Sequence, residues 1–366
     1  MKRNKIGIIF TLAFSLLLTA CSNSGNTSKS EQPATTPVAT EAPVTEAPVT
    51  EKPTNDTTTE NTTEYPISIK HAFGETVIES KPERIVTISW GNQDVPLALG
   101  VVPVGVSEAN YGVLDGSGML PWTGEAFKSL GEESPVLFKD TAGLDFEAIS
   151  NAEPDVILAA YSGLTQEEYD LLSAIAPVVA YPTAAWQTLW RDQIIMDATG
   201  MGMKEEGEHL VADLEQLIGE ETSEYPGIKG KTAAFFYFNP SDLGKFYVYL
   251  PEDPRAAYLT DLGMEFPKSV LDLAKESASF ALELSAENVD VLSDVDIMIA
   301  YGSSSLLETL QADALVGTIP AVKRGSVVLI EDGTPLAASG TPSALSIPAT
   351  IDEYLKLIGE AADKVE

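Results

Sequence analysis

Two segments of the sequence share a pattern that ends in a tyrosine and small residues. Residues 153–163 read EPDVILAAYSG, and residues 294–303 read DVDIMIAYGS. In each, a short apolar run after an acidic turn predicts a buried strand, so Tyr161 and Tyr301 come at or just past a strand end. Three further aromatic residues end or follow predicted strands: Trp90, Tyr111 and Tyr237. Aromatic rings offer a flat apolar face and tyrosine adds a hydrogen-bonding edge, so these residues predict a binding site, with core packing as the alternative for each ring.

Arg255 is the candidate charged residue of this site. The segment PEDPRAAYL predicts a helix with Asp253 at the N-cap, Pro254 at the first helical position and Arg255 just inside. A guanidinium beside a helix N-terminus can bind an anion. The alternative is a surface arginine paired with Glu252 or Asp253.

Motifs for metal binding, nucleotide binding and hydrolysis are incomplete. The two histidines, His71 and His209, lack the spacing of a zinc or manganese site. Residues 230–232 read GKT, but Tyr225 occupies the first glycine position of a P-loop and a predicted strand follows. There is no Gly-x-Ser-x-Gly motif. The sequence therefore predicts a protein that is not an enzyme, with no catalytic residue, cofactor or metal site; an extracellular hydrolase is the alternative.

The charge of the chain excludes some partners. The formal net charge is −33, from 22 Lys and Arg against 55 Asp and Glu. Such a surface repels phosphate backbones, which argues against nucleic-acid binding. It also argues against attachment to anionic lipid through basic patches.

The N-terminus has the pattern of an exported protein. Residues 1–20 combine a basic start with a short apolar run, which is typical of a signal peptide. LTAC at the end of this segment resembles the bacterial lipobox, so Cys21, the only cysteine, is the predicted lipidation site. Residues 21–64 are rich in Thr, Pro and Glu and predict a disordered spacer. We expect a protein anchored by lipid to the outer face of a bacterial cell membrane.

The remaining sequence predicts an α/β fold of two similar lobes. Strands alternate with helices over 65–203 and again over 225–366, which indicates parallel sheets covered by helices, as in Rossmann-like folds. Apolar residues at helical spacing predict one long rigid connecting helix over 204–224. Ligands bind beyond the carboxyl ends of parallel strands, so we expect a ligand cleft between the lobes, reached by Tyr161 and Tyr301.

An ordered set of segments carries a resemblance to a known family. These are the lipobox, KPERIVTISWGNQDVPLALGVVPVGV, LDFEAISNAEPDVILA, YDLLSAIAPVVAY, SAENVDVLSDVDIMIAY and TIPAVKRGSVVLI. Together they resemble the ferric-siderophore-binding lipoproteins of ABC importers, a helix-linked class that also includes haem and cobalamin binders.

The resemblance implies a function and partners. It implies a monomer that captures a ferric siderophore between two lobes and delivers it to a membrane permease driven by an ATPase. The siderophore would supply the iron ligands. By position, Glu147 and Glu287 are implied to dock against arginines of the permease. Catecholate, hydroxamate and carboxylate chelates stay open, as do haem and cobalamin.

Overall fold

The computed structural model describes residues 63–140, 143–275 and 277–365. The predicted signal peptide, Cys21 and almost all of the predicted spacer lie outside these residues. No helix in the described part has the length and apolar character needed to cross a membrane.

The described chain begins with a β-hairpin formed by β1 (Ile67–His71) and β2 (Gly74–Ile78). Its inward side chains alternate with exposed ones, as expected for a ribbon packed on one face. Thr76 Oγ1 donates a hydrogen bond of 2.7 Å to the Val178 carbonyl oxygen, which fixes the hairpin to the first lobe.

The first lobe contains a five-stranded sheet in the order β5-β4-β3-β6-β7, with every neighbouring pair parallel. The strands are β3 (Ile85–Thr87), β4 (Gly105–Ser107), β5 (Leu137–Phe138), β6 (Val156–Ala159) and β7 (Val178–Ala180). The helices are α1 (Asp94–Ala98), α2 (Pro121–Ser129), α3 (Phe146–Asn151), α4 (Gln166–Ser173) and α5 (Trp190–Gly200). β3, β4, β6 and β7 are buried at every residue, because helices cover both faces of the sheet.

A long helix, α6 (Lys204–Ser223), follows the first lobe in the chain. Glu205 and Glu206 occupy its first turn, where negative charge is favourable. Leu214 and Ile218, one turn apart, are buried in a cluster shared with the second lobe. This helix lies where the sequence predicts the connection between the lobes.

The second lobe contains a mixed five-stranded sheet in the order β10-β9-β8-β11-β12. Its strands are β8 (Ala233–Asn239), β9 (Asp242–Tyr249), β10 (Ala281–Ser285), β11 (Ile297–Tyr301) and β12 (Val327–Ile330). β8, β11 and β12 are parallel, whereas β9 runs antiparallel to both β8 and β10. The helices are α7 (Pro254–Asp261), α8 (Lys268–Ala274), α9 (Ser305–Ala312), α10 (Pro320–Arg324), α11 (Pro335–Ala338) and α12 (Ser346–Ala362), with 3-10 turns at Ala286–Leu292 and Val316–Thr318.

The two sheets have the same strand order. Numbered within each lobe, both read third, second, first, fourth, fifth. The internal similarity of the sequence therefore corresponds to a repeated strand order, with β9 reversed relative to its counterpart β4, and the predicted two-lobe α/β fold is confirmed. The sequence analysis did not anticipate the antiparallel β9 and β10, nor the C-terminal helix α12.

The lobes are packed together by helices. Alternate residues of β8 and β11 point to opposite faces of the second sheet. One face, with Phe235 and Ile299, packs against α12 in a cluster that also contains Ile194 of α5 and Val95 of α1. This shared core fixes the two sheets relative to each other.

Candidate ligand-binding site

A cavity of about 600 Å³ lies between the two lobes. It is lined by residues that follow strand ends in both sheets, together with residues of α7 and α11. All six predicted ligand residues are among them: Trp90, Tyr111, Tyr161, Tyr237, Arg255 and Tyr301. The size suits a compact chelate, and strand ends are the expected place for a ligand in such sheets.

The first lobe contributes an aromatic wall. Trp90 follows β3, Tyr111 follows β4 and Tyr161 follows β6. The ring of Tyr161 contacts Trp186 edge to face, with centroids 5.3 Å apart. Trp186 has a φ of +61°, unusual for a tryptophan, and its indole lies so close to Gly163 that a Cβ there would be 2.4 Å from Nε1. Glycine at 163 therefore permits this position of the indole.

The second lobe contributes the opposite wall. Tyr237 of β8 is 44% exposed, and Tyr301 ends β11. Tyr301 is held edge to face against Phe235, with centroids 5.0 Å apart. The sequence analysis missed Tyr249, which ends β9 and also lines the cavity. Its position six residues before Arg255, at the end of an aromatic run, was the available signal.

Arg255 lines the cavity but is already paired. Asp253 caps α7 by accepting a hydrogen bond from the Arg255 backbone N–H, as predicted. The guanidinium donates to both carboxylate oxygens of Asp253, at 2.8 and 2.6 Å, and lies 4.0 Å above the Tyr249 ring. Burial alone would lower the pKa of Arg255, but the Asp253 carboxylate outweighs it and raises that pKa. Arg255 thus lines the cavity and is paired with Asp253, one of the two partners predicted in the alternative; its binding of an anion stays a prediction.

Tyr111 connects the lobes across one side of the cavity. Its hydroxyl donates to Asp332 Oδ1 at 2.5 Å and accepts from the Gly333 backbone N–H at 3.0 Å. Burial, followed by the bond to Asp332, raises the pKa of Tyr111 to about 12. Its hydroxyl is therefore hydrogen-bonded to the second lobe. Only the ring of Tyr111 is left to contact a ligand.

The other polar groups of the cavity are mostly acidic. Glu108, Asp140, Glu168 and Asp332 line it, and Arg255 is the only cationic residue among the described lining residues. Burial raises the pKa of Tyr161 and of Tyr301, so both hydroxyls are protonated at neutral pH. In the described part of the chain, no group of three or more His, Cys, Asp or Glu side chains is placed to hold a metal ion.

The profile of a protein family described as "Periplasmic binding protein" matches residues 85–333, more than half of the chain and both walls of the cavity. The chain belongs to this periplasmic binding protein family.

The chain is similar to a solved structure and to named proteins of Bacillus subtilis. The chain is 52% identical to PiaA of Streptococcus pneumoniae, solved in complex with ferrichrome, over 82% of this chain and 100% of that chain, with a TM-score of 0.79. It is 24% identical to the probable siderophore-binding lipoprotein YfiY of Bacillus subtilis, over 78% of this chain and 87% of the relative. It is also 24% identical to the iron(3+)-hydroxamate-binding protein YxeB of Bacillus subtilis, over 70% of this chain and 75% of the relative.

The two glutamates predicted to dock against a permease occupy matching places in this periplasmic binding protein. Glu147 lies in the first turn of α3, and Glu287 lies in the first turn of the 3-10 segment Ala286–Leu292. Both side chains are exposed, and each segment lies between the third and fourth strands of its lobe. Their N-caps, Asp145 and Ser285, each accept a backbone hydrogen bond.

Proposed function

We propose that this protein is the substrate-binding component of an ABC importer and that it captures a ferric siderophore between its lobes. The observation that carries the proposal is the cavity of about 600 Å³ whose two walls present aromatic rings from equivalent strand ends. A metal chelate wrapped in an organic shell offers such rings large apolar and planar surfaces. The relatives named as siderophore-binding and iron-binding proteins support the same function.

A hydroxamate chelate fits the cavity best. Three hydroxamates, each with one negative charge, neutralise Fe(III), whereas catecholate and carboxylate chelates carry excess negative charge. The lining contains four carboxylates, and Arg255 is paired with Asp253, so an excess anion would gain little attraction there. PiaA was solved with ferrichrome, and YxeB is named for hydroxamates, which supports this class.

Haem and enzymatic alternatives receive less support. A tyrosinate ligand to haem iron would require deprotonation of a hydroxyl, but burial raises the pKa of Tyr161 and Tyr301. The protein would act by stacking, hydrogen bonding and charge, without a catalytic step. The siderophore would supply the iron ligands.

The proposal also covers delivery of the chelate to a permease and the location of the protein. Glu147 and Glu287, exposed at matching places in the two lobes, would dock against arginines of a membrane permease driven by a cytoplasmic ATPase. The protein would act as a monomer outside the cytoplasm, as relatives named lipoproteins or periplasmic proteins suggest. A lipid on Cys21 would anchor it to the outer face of the cell membrane.

A titration of tryptophan fluorescence with separate ligands tests this function. Trp90 and Trp186 line the cavity, so a bound ferric chelate should quench their emission and saturate at one equivalent. The panel contains a ferric tris-hydroxamate, a ferric tris-catecholate, ferric citrate, haemin and cobalamin. We expect the hydroxamate to bind most tightly. Saturable binding of haemin or cobalamin without binding of any ferric siderophore would refute the proposal.

A further inference from the structure

Four carboxylates line the cavity without a cationic partner. Glu108, Asp140, Glu168 and Asp332 form no salt bridge with any described residue. The first three belong to the first lobe, and each of these three is at least partly buried. The charge is therefore concentrated on one wall.

Neutral donors hold these carboxylates in place without removing their charge. Ser107 Oγ donates to Asp140. Glu168 accepts from the backbone N–H and the hydroxyl of Thr165, at 2.9 and 2.8 Å. These donors are uncharged, so they fix the positions of the two carboxylates without placing a positive charge beside them.

Glu108 is placed by the backbone beside it. Its side chain lies over Gly118, where a Cβ would be 2.8 Å from the Glu108 Cγ. Gly118 has a φ of +75°, and its carbonyl oxygen accepts a hydrogen bond from the Ala109 backbone N–H at 2.8 Å. A side chain at 118 would displace Glu108, so the glycine leaves room for the Glu108 side chain at the cavity wall.

Arg255 does not balance this charge. Its guanidinium is bound by both oxygens of Asp253, whose side chain is only 1% exposed. The pair is close to neutral as a unit and belongs to the opposite lobe. Among the described residues that line the cavity, no cationic side chain other than Arg255 faces the first-lobe carboxylates.

We infer that the cavity selects ferric hydroxamate chelates that carry a positively charged group, such as a protonated primary amine, which binds beside Glu108 and Asp140. This specificity rests on the proposed function. A neutral chelate would remove these carboxylates from water without replacing their hydration. An ammonium group would replace it with charge-assisted hydrogen bonds.

Glu108 and Asp140 lie on adjacent segments of the first lobe: the Glu108 backbone N–H donates to the Phe138 carbonyl oxygen at 2.9 Å, and Ser107, next to Glu108, donates through Oγ to Asp140. Burial raises the pKa of Asp140, and the negative charge of Glu108 raises it further. Two carboxylates that repel each other are both stabilised by a cation placed between them.

Three chelates built on one linear ferric tris-hydroxamate test the inference. One has a free terminal amine, one has that amine acetylated and one has it succinylated, so the net charges are +1, 0 and −1. We expect the dissociation constant at pH 7.5 to rise in that order, with the amine bound about 5- to 30-fold more tightly than the acetylated form. The preference should shrink as salt is raised from 0.05 to about 0.5 M, because the Debye length falls.

Variants connect the preference to particular residues. The preference is the dissociation constant of the acetylated chelate divided by that of the amine chelate. E108Q and D140N should each reduce this ratio severalfold. The control is E125Q, at an exposed position of α2 outside the cavity, and it should leave the ratio unchanged. Thermal unfolding of each variant checks that it folds.

The outcomes separate the inference from the proposed function. Equal affinity for all three chelates, or tighter binding of the succinylated one, would overturn the inference while leaving hydroxamate capture in place. A preference that survives in both E108Q and D140N would also overturn it. Failure of the wild-type protein to bind any of the three would overturn the proposed function itself, and the inference with it.

Discussion

Arg255 shows how a single residue can line a binding cavity and still serve the fold. Its guanidinium covers Asp253, a buried carboxylate that caps α7, and it stacks on Tyr249. Removing one partner of a buried ion pair leaves the other charge without compensation. The main expected effect of losing Arg255 is therefore on stability.

The variant R255A should lower the free energy of unfolding by about 2–4 kcal/mol. The double variant R255A/D253N should recover part of this loss, because asparagine can still cap α7 and no buried charge remains. Urea unfolding of the wild type, both variants and D253N measures the effect. Unchanged stability in R255A, accompanied by weaker ligand binding, would identify Arg255 as a free ligand contact instead.

The sequence predicted which residues would meet in the cavity better than it predicted their partners. Trp90 and Tyr161 follow buried strands within three residues and Tyr301 ends one, and strand ends of a parallel sheet converge at one edge. The bonds of Tyr111 to Asp332 and Gly333 join positions more than two hundred residues apart, and no local pattern records such a contact. Glu108 and Asp140 were also missed, although they follow the ends of β4 and β5 and so carried the same local signal as the aromatic residues.

At the level of elements, the sequence indicated most of the buried parallel strands but not the antiparallel strands of the second sheet. Short buried runs such as IMIA at 297–300 predict strands, because every residue is apolar. β9 and β10 alternate exposed and covered positions instead, and their exposed side is held by Lys245 and Tyr247 against Glu283. The apolar residues of β9 and β10 therefore alternate only weakly with polar ones along the sequence. For this reason these two antiparallel strands were not predicted.

Two short elements carry the glutamates proposed to dock with the permease. The substitutions E147A and E287A should each reduce uptake of iron from a ferric hydroxamate by roughly tenfold or more, because each removes charge-assisted contacts with a permease arginine. Affinity for the chelate should not change, since neither residue lines the cavity. Uptake of radioactive iron and a binding titration measure the two quantities.

Matched controls for this pair are E167A and E308A, which remove one exposed glutamate from the first turn of α4 and of α9. Both controls should support normal uptake. If E147A and E287A lost affinity in proportion to uptake, or if the controls lost as much uptake, the docking role would be wrong.

At the scale of the whole molecule, a buried carboxylate joins the lobes near the cavity. Asp94 of α1 accepts hydrogen bonds from Trp122, Thr123, Gln93 and, in the second lobe, Ser343. Burial raises its pKa from 3.8 to about 6, against the opposing effect of these donors. The hydrogen-bonded contact between the lobes at Asp94 should therefore depend on pH.

The pH dependence has a defined direction. The folded protein keeps the Asp94 proton up to about pH 6, whereas the unfolded chain releases it near its ordinary value of 3.8. This group's contribution to the free energy of unfolding should fall by about 2–3 kcal/mol as the pH rises from about 4 to about 6, and then stay level. D94N should lack this slope, and D192N, at an exposed position of α5, should retain it. Urea unfolding between pH 4 and 8 measures the free energy of unfolding at each pH. The same pH dependence in the wild type and D94N would refute the role of Asp94.

A cavity shared by two lobes with the same strand order is the basis of the proposed function. Trp90 lies in one wall of the cavity and Tyr301 in the other. Trp90 follows β3 and Tyr301 ends β11, and each strand is buried in its own lobe. If one chelate touches both walls, substitution of either residue alone should weaken the binding of that chelate.

Calorimetric titration of one ferric tris-hydroxamate into the wild type, W90A and Y301A tests this most directly. We predict one chelate per chain and a loss of affinity of roughly tenfold in each variant, as expected when an aromatic contact is removed. Y247A, which removes an exposed tyrosine outside the cavity lining, should bind like the wild type. Two chelates per chain, or an affinity unchanged in either W90A or Y301A, would contradict a site shared by the two lobes.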